Sequence, residues 1–540
     1  MIPVERAVGS MLLLAIGDAL GAPVEGLKGP YVFQIYGERI EDYVDPLAAW
    51  RDKPRRWRLK GLHTDDTQQA LIVAETLLDH SGWNSKAAAK WYVALADAAP
   101  DLPWGVHRGT GLNFRRCVQR MQQTLQGREG SERCEGFEGG EGGEGGVGSN
   151  GSISSISSIA PKAVSKEDFA LCGAASAGPG AAMRIAPVGL WYAEDVDGLV
   201  DAAIECSVMT HADSRGILGA VAVAAAIAAL ATASPGAGRI DAPAIAGAAH
   251  DCVIRAAERL DALARERGWP VCFGSRPFAC ALESLPGLLR EENDGLARQT
   301  ILREANRHGP DHPISALNQP FAPGCVPAAI YRALRARSPM EGLIGTINDG
   351  YDTSTMGAIC GALLGARFGE GAIPAEWREG LLAAEIIAVR GEALALKQKD
   401  LSRWDDLYTF EYDFSLREAK GREELIRAKE REDRKRSEGQ RARAGVSPAV
   451  RKDKAARKDK AARGKEAASF SIGGKAIETP PALAPDERKA QRRERERRRG
   501  REERAKQRDR ERLTKRDRRS DFMARGPLAF YEPGRDENAP

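Results

Sequence analysis

At 540 residues, with 29% charged and only 6% aromatic side chains, the chain can hold more than one domain and is too polar to pack as one uniform globule. Its net charge of +4 conceals an acidic first 400 residues, with 39 Lys and Arg against 48 Asp and Glu, and a basic remainder with 41 against 28. That division excludes charge-driven polyanion binding by the body and confines it to the tail.

Residues 5–20 set Ala7, Met11, Leu12, Leu14, Ala15 and Leu20 at helical spacing, which predicts a first core helix with Asp18 near its end. Glu25 follows in a Pro-containing loop. Residues 29–60, including the basic run Arg55 to Arg58, read as an irregular excursion. Thr64, Asp65, Asp66 and Thr67 then run into Ala70, Leu71, Ala74, Leu77 and Leu78. An oxygen cluster opening an apolar helix is either a simple cap or a ligand-bearing helix start. A helix is predicted over 85–98, followed by Gly105 to Gly111, where Gly109 and Gly111 permit close backbone approach to a phosphate.

Residues 128–168 turn to Glu-Gly and Ser-Ile repeats and predict a flexible insertion looping out of one domain. Beyond it come a Gly-Pro-Gly turn at 178–180, a helix from Val196 to Cys206, Thr210-His211, and an Ala-rich helix from Arg215 to about Ala233. The last is read as a buried core helix and not a membrane span, because Ala dominates it. Helices are predicted over 242–265 and 279–289. Asp352, Thr353, Ser354 and Thr355 then repeat the earlier pattern, leading into Met356, Ile359, Leu363 and Leu364 with Gly357, Gly361 and Gly365 interleaved. Such small residues allow a neighbouring helix to approach closely, and tertiary packing must hold so Gly-rich a helix together.

Periodicity fades after Lys397. Trp404 to Phe414 is aromatic and acidic, a stretch able to dock back on the body. Beyond it, runs such as Arg492 to Arg499 are polar on every face. The sequence therefore predicts a compact multi-helix body over 1–397 and a basic tail over 398–540, disordered or a solvated helix, whose surplus charge permits contact with nucleic acid or another polyanion. Nine cysteines without a C-x-x-C pair, and no secretory signal, lead us to expect reduced thiols and a cytoplasmic protein.

Five ordered motifs carry a resemblance: Gly17-Asp-Ala-Leu-Gly-Ala-Pro-Val-Glu25, Thr64-Asp-Asp-Thr67, Ala181-Ala-Met-Arg-Ile-Ala-Pro187, Thr210-His211 and Asp352-Thr-Ser-Thr355. In this order they resemble the ADP-ribosylglycohydrolase family over roughly residues 5–395. The resemblance implies an all-α fold and hydrolysis of the bond joining ADP-ribose to a protein or small-molecule acceptor, assisted by two Mg²⁺ or Mn²⁺ ions. It assigns Thr64, Asp65, Asp66, Asp352 and Thr355 as metal ligands and gives Glu25, with Asp65 and Asp66, the catalytic role. Gly109, Gly111, Ser176, Gly178, Gly180, Met183 and His211 become candidates for the ADP-ribose pocket. Hard oxygen donors of this kind suit such cations.

Two departures stand out. Gly178-Pro179-Gly180 replaces a Gly-Asn-Gly common in the family, and Ser354 replaces a carboxylate of its Asp-x-Asp-Thr or Asp-x-Asp-Ser pattern. A hydroxyl is the poorer ligand, so weaker or single occupancy is expected. A hydrolase with altered coordination and an ADP-ribose-binding module that has lost turnover are therefore both open readings.

Overall fold

A computed structural model describes residues 2–99, 102, 104–127, 168–233, 240–401 and 404–443. The predicted insertion, apart from Asp168, and the tail from 444 onward lie outside these residues. The fold is all-α: helices and short 3-10 turns joined by loops, with only isolated bridges and no sheet among the described residues.

Its axis is the pairing of the first helix, Val4–Gly21, with the helix Thr353–Phe368. The two run antiparallel and nearly touch. A Cβ on Gly17 would overlap the carbonyl of Gly357, and one on Gly365 would overlap that of Gly9, so glycine is required on both sides of the crossing. Ser10 closes the seam by donating its hydroxyl to the Ala362 carbonyl at 2.9 Å.

Around this pair pack Asp65–His80, Ser214–Thr232, Ala322–Arg335 and Ala384–Leu396. Val4–Val24 and Ser214–Thr232 are long and apolar enough to cross a membrane, and both are largely buried within the body. A helix apolar all round needs such burial in a packed core. The eight described cysteines are all free.

Two expectations are corrected. The stretch 279–289 is two short helices, Ala279–Leu282 and Leu285–Leu288, since Pro286 lacks the N–H that a continuous helix would use. The body also does not stop at 397. The helix Trp404–Arg443 lies on it, with Leu407, Glu411, Ser415 and Glu418 buried, and belongs to the same compact unit. The stripe at 411, 415 and 418 is polar, so hydrophobic periodicity could not reveal it; its burial rests on hydrogen bonds and ion pairs to the body.

Candidate active site

Three chain segments meet where the glycine-paired helices end. The Thr353 helix begins opposite Gly21, with Thr353 Oγ1 donating to the Gly21 carbonyl at 2.8 Å. Just before it, Gly350 and Tyr351 both take positive φ, 76° and 65°. Tyr351 is a non-glycine residue in that region, a strain held by its neighbours: its carbonyl accepts from Gly26 N at 2.8 Å, tying the loop that carries Glu25 to the loop that carries Asp352. Asn318 braces the same loop, donating to the carbonyls of Thr346 and Gly350 and accepting Asp352 N at its own carbonyl.

The Asp65 helix is set by Asp18. This fully buried carboxylate, on the first helix, accepts from Thr64 N at 2.9 Å, Thr67 N at 3.1 Å and Thr67 Oγ1 at 2.6 Å, all on Oδ2. Burial, then the nearby Asp66, pushes the Asp18 carboxyl up to about 8.

The resulting cavity encloses about 270 Å³, and every candidate from the sequence lines it: Glu25, Thr64, Asp65, Asp66, Gly109, Gly111, Ser176, Gly178, Gly180, Met183, His211, Asp352 and Thr355. Ser354 lines it as well. The structure thus brings together residues from six separate parts of the chain.

Asp352 stands at the N-cap of its helix and makes no capping hydrogen bond with its side chain. It is therefore no ordinary cap. Thr64 donates its hydroxyl to Asp66 Oδ2 at 2.7 Å, while buried Asp66 Oδ1 has no hydrogen-bond partner. Asp65 Oδ2 accepts from Gln69 Nε2 at 2.9 Å. Burial, the first cause in each case, raises Asp65, Asp66 and Asp352 above the usual carboxylate range; Asp66 adds to the rise in Asp65, and Glu25 to that in Asp352.

These groups fit a hard cation in chemistry, being carboxylates and hydroxyls crowded in one cavity with an orphaned carboxylate oxygen among them. Among the described residues, however, no three His, Cys, Asp or Glu side chains are placed to hold a metal ion. A cation here would depend on the hydroxyls of Thr64 and Thr355 and on water as much as on carboxylates.

Glu25 is held by the very residue that departs from the family pattern. Ser354 N and Oγ donate to Glu25 Oε2 at 3.0 and 3.1 Å, with Thr353 Oγ1 at 3.3 Å. All three converge on one oxygen. Burial raises the Glu25 carboxyl; the Ser354 N–H works against that rise.

On the opposite wall, Arg184 is buried and donates to Gln69 Oε1 at 2.8 Å, to the Cys206 carbonyl at 2.8 Å and to Thr210 Oγ1 at 2.6 Å. Thr210 Oγ1 lies 2.8 Å from His211 Nδ1. Burial and Arg184 push His211 down to about 3, so the ring is neutral. The Thr210 oxygen accepts from Arg184, and its hydroxyl faces two acceptors, the Ser207 carbonyl at 3.4 Å and Nδ1 at 2.8 Å; donation along the shorter contact places the imidazole proton on Nε2. Gly180 lies against that edge, where a Cβ would come 3.3 Å from Nε2.

Sequence reasoning gave no role to Arg58, Gln69, Arg184 or Thr210, all of which line the cavity. Arg184 and Thr210 lay inside quoted motifs, and Arg58 closed the basic run at 55–58. A buried arginine contacting a carbonyl has no local signature in sequence.

The sequence pattern of the ADP-ribosylglycohydrolases matches residues 2–404, and the chain belongs to that family. It is similar to an uncharacterized protein of Archaeoglobus fulgidus, 27% identical over 402 residues that span 74% of this chain and 97% of the relative. It is also similar to ADP-ribosylhydrolase ARH3 of Xenopus tropicalis, 25% identical over 71% of this chain and 93% of that one. Human ADP-ribosylhydrolase ARH3 is 29% identical over 40% of this chain and 58% of its own. A solved structure described as an ADP-ribosylglycohydrolase-related protein complex aligns over 73% of this chain and 98% of its own, at 24% identity and a TM-score of 0.45.

Proposed function

We propose that this protein is a metal-dependent hydrolase that releases ADP-ribose from a modified protein or small molecule, working in a reducing cytoplasm. The observation that carries this reading is the placement of Glu25 in one cavity with Asp65, Asp66 and Asp352, in a chain of this family. Thr64, Asp65, Asp66, Asp352 and Thr355 would hold Mg²⁺ or Mn²⁺. When bound, the cation supplies positive charge beside the ribose hydroxyls and a site for water.

The remaining work falls to the protein's own groups. Glu25, with Oε2 held by the Ser354 N–H and hydroxyl, keeps Oε1 for a water proton, and burial raises its basicity. His211 Nε2–H donates to ribose or diphosphate. Arg58, beside Asp65 and Gly109, offers a guanidinium to the diphosphate. Gly109, Gly178 and Gly180 admit the ligand close to the backbone.

A second reading is favoured by one specific observation, the serine at 354: an ADP-ribose-binding module that has lost turnover. ADP-ribose release from modified arginine, serine and small-molecule substrates, assayed with Mg²⁺, Mn²⁺ or EDTA beside calorimetric ADP-ribose binding, tests both. Release abolished by EDTA supports the hydrolase. Tight binding with no release on any substrate supports the module.

A further inference from the structure

The helix Trp404–Arg443 lies beyond the region matched to the family, which ends at 404. Glu411, Ser415 and Glu418 fall on one of its faces, and all three are buried. Glu411 Oε1 accepts from His63 Nε2 at 2.8 Å. Its Oε2 pairs with Arg108 Nη1 at 2.6 Å and accepts from Gln68 Nε2. Ser415 Oγ accepts from Arg108 Nη1 at 2.9 Å and donates to the Val106 carbonyl at 2.7 Å. Glu418 accepts from Leu59 N at 3.1 Å and pairs with Arg58 at 3.4 Å.

These partners in the body border the cavity. His63 precedes Thr64, Asp65 and Asp66; Arg108 precedes Gly109; Arg58 lines the cavity itself. Arg108 also ties the two segments directly, donating from Nε to the His63 carbonyl at 3.0 Å and from its backbone N to Gln68 Oε1 at 3.0 Å. One carboxylate thus closes a network spanning the acidic wall and the glycine wall.

Docking alone does not call for these residues. Tyr408, Tyr412 and Leu416 already pack against an apolar cluster, and apolar side chains at 411 and 415 would bury without the desolvation cost of a carboxylate. What a buried, hydrogen-bonded polar network adds is a fixed geometry.

We propose that Glu411 is a positioning residue that sets segments 63–66 and 106–111 against each other, making the C-terminal helix a working part of the site. The proposal rests on the ADP-ribose reading above for its functional consequence.

The test compares full-length wild type with Glu411→Gln and with Leu407→Ala, which removes a buried apolar contact of the same helix. Hydrogen exchange and calorimetric ADP-ribose binding are read on all three. In Glu411→Gln, protection of 63–66 and 106–111 is expected to fall at least tenfold and ADP-ribose Kd to rise at least tenfold. In Leu407→Ala, both segments and Kd stay within twofold of wild type. Unchanged exchange in Glu411→Gln, lost protection with Kd within twofold, or the same losses in Leu407→Ala would each overturn the proposal. Should Glu411→Gln fail to fold, Ser415→Ala removes one Arg108 contact and is read by the same criteria. A wild type that binds no ADP-ribose removes the functional reading instead, and the exchange contrast alone then decides whether Glu411 sets the two segments.

Discussion

Ser354 donates both its backbone N–H and its hydroxyl to a single oxygen of Glu25, at 3.0 and 3.1 Å. The residue that stands in a carboxylate's place has therefore become the holder of the candidate catalytic glutamate. Ser354→Asp exchanges that donor for a second carboxylate beside Glu25, in a cavity already crowded with acids. Mg²⁺ affinity measured by calorimetry is expected to rise about tenfold or more, roughly 1.4 kcal/mol. Unchanged affinity would show that position 354 is not a ligand position in this chain.

Glu25→Gln keeps the side chain's shape and removes its proton acceptor. Loss of a general base costs about 10²–10⁴ in rate. Release of ADP-ribose is expected to fall within that range while ADP-ribose Kd stays within about threefold, because the proposed role of Glu25 is on water and not on the diphosphate. Comparable losses in both quantities would instead make Glu25 a binding residue.

The glycine crossing is the most demanding contact in the fold. Gly357→Ala drives a Cβ into the backbone of Gly17, where no flexible side chain can yield. The cost is expected to be about 3 kcal/mol or more in urea unfolding, at the upper end for overpacking. Gly371→Ala, where a Cβ meets nothing within 4 Å, is the matched control and should change stability by less than about 0.5 kcal/mol.

Acid stability isolates Glu411. Burial alone would raise this carboxyl, but Arg108 and then His63 outweigh it and hold it at about 2. Burial pushes the His63 imidazole down from its ordinary value, which leaves Arg108 as the permanent charge partner of Glu411. A carboxyl with a folded value below its unfolded value of 4.5 stabilises fully above that value and loses its contribution as pH falls toward 2. The stability difference between wild type and Glu411→Gln, from urea titrations at pH 5, 4 and 3, is therefore expected to shrink as pH falls. A difference independent of pH would show that the charge at 411 contributes nothing.

The helices that bury apolar faces were legible in the sequence: the first helix, the Ala-rich helix from 215 and the small-residue helix after Asp352 all form where their spacing placed them. The thirteen candidate site residues share one cavity because the motifs that carry them sit at helix ends and turns, where side-chain oxygens and glycines leave a readable pattern. Arg184, buried and spent on a carbonyl, a hydroxyl and an amide, looks in sequence like any surface arginine. Trp404 to Phe414 docks as its composition allows, but the boundary expected at 397 falls too early for a related reason. The docked face of the C-terminal helix is made of Glu411, Ser415 and Glu418, whose partners His63, Arg108 and Arg58 lie more than 300 residues earlier. No local pattern encodes a complement so distant.

The pairing of the first helix with the Thr353 helix also has a consequence for synthesis. Ser10 and its partner Ala362 are 352 residues apart, and at about 5–20 residues per second a ribosome needs roughly 20–70 s to cover that interval. Throughout it, one of the most apolar helices of the protein has emerged without the surface that will cover it. A nascent chain of this kind is a natural client for chaperones, and premature termination before the second glycine helix leaves a fragment with every reason to aggregate.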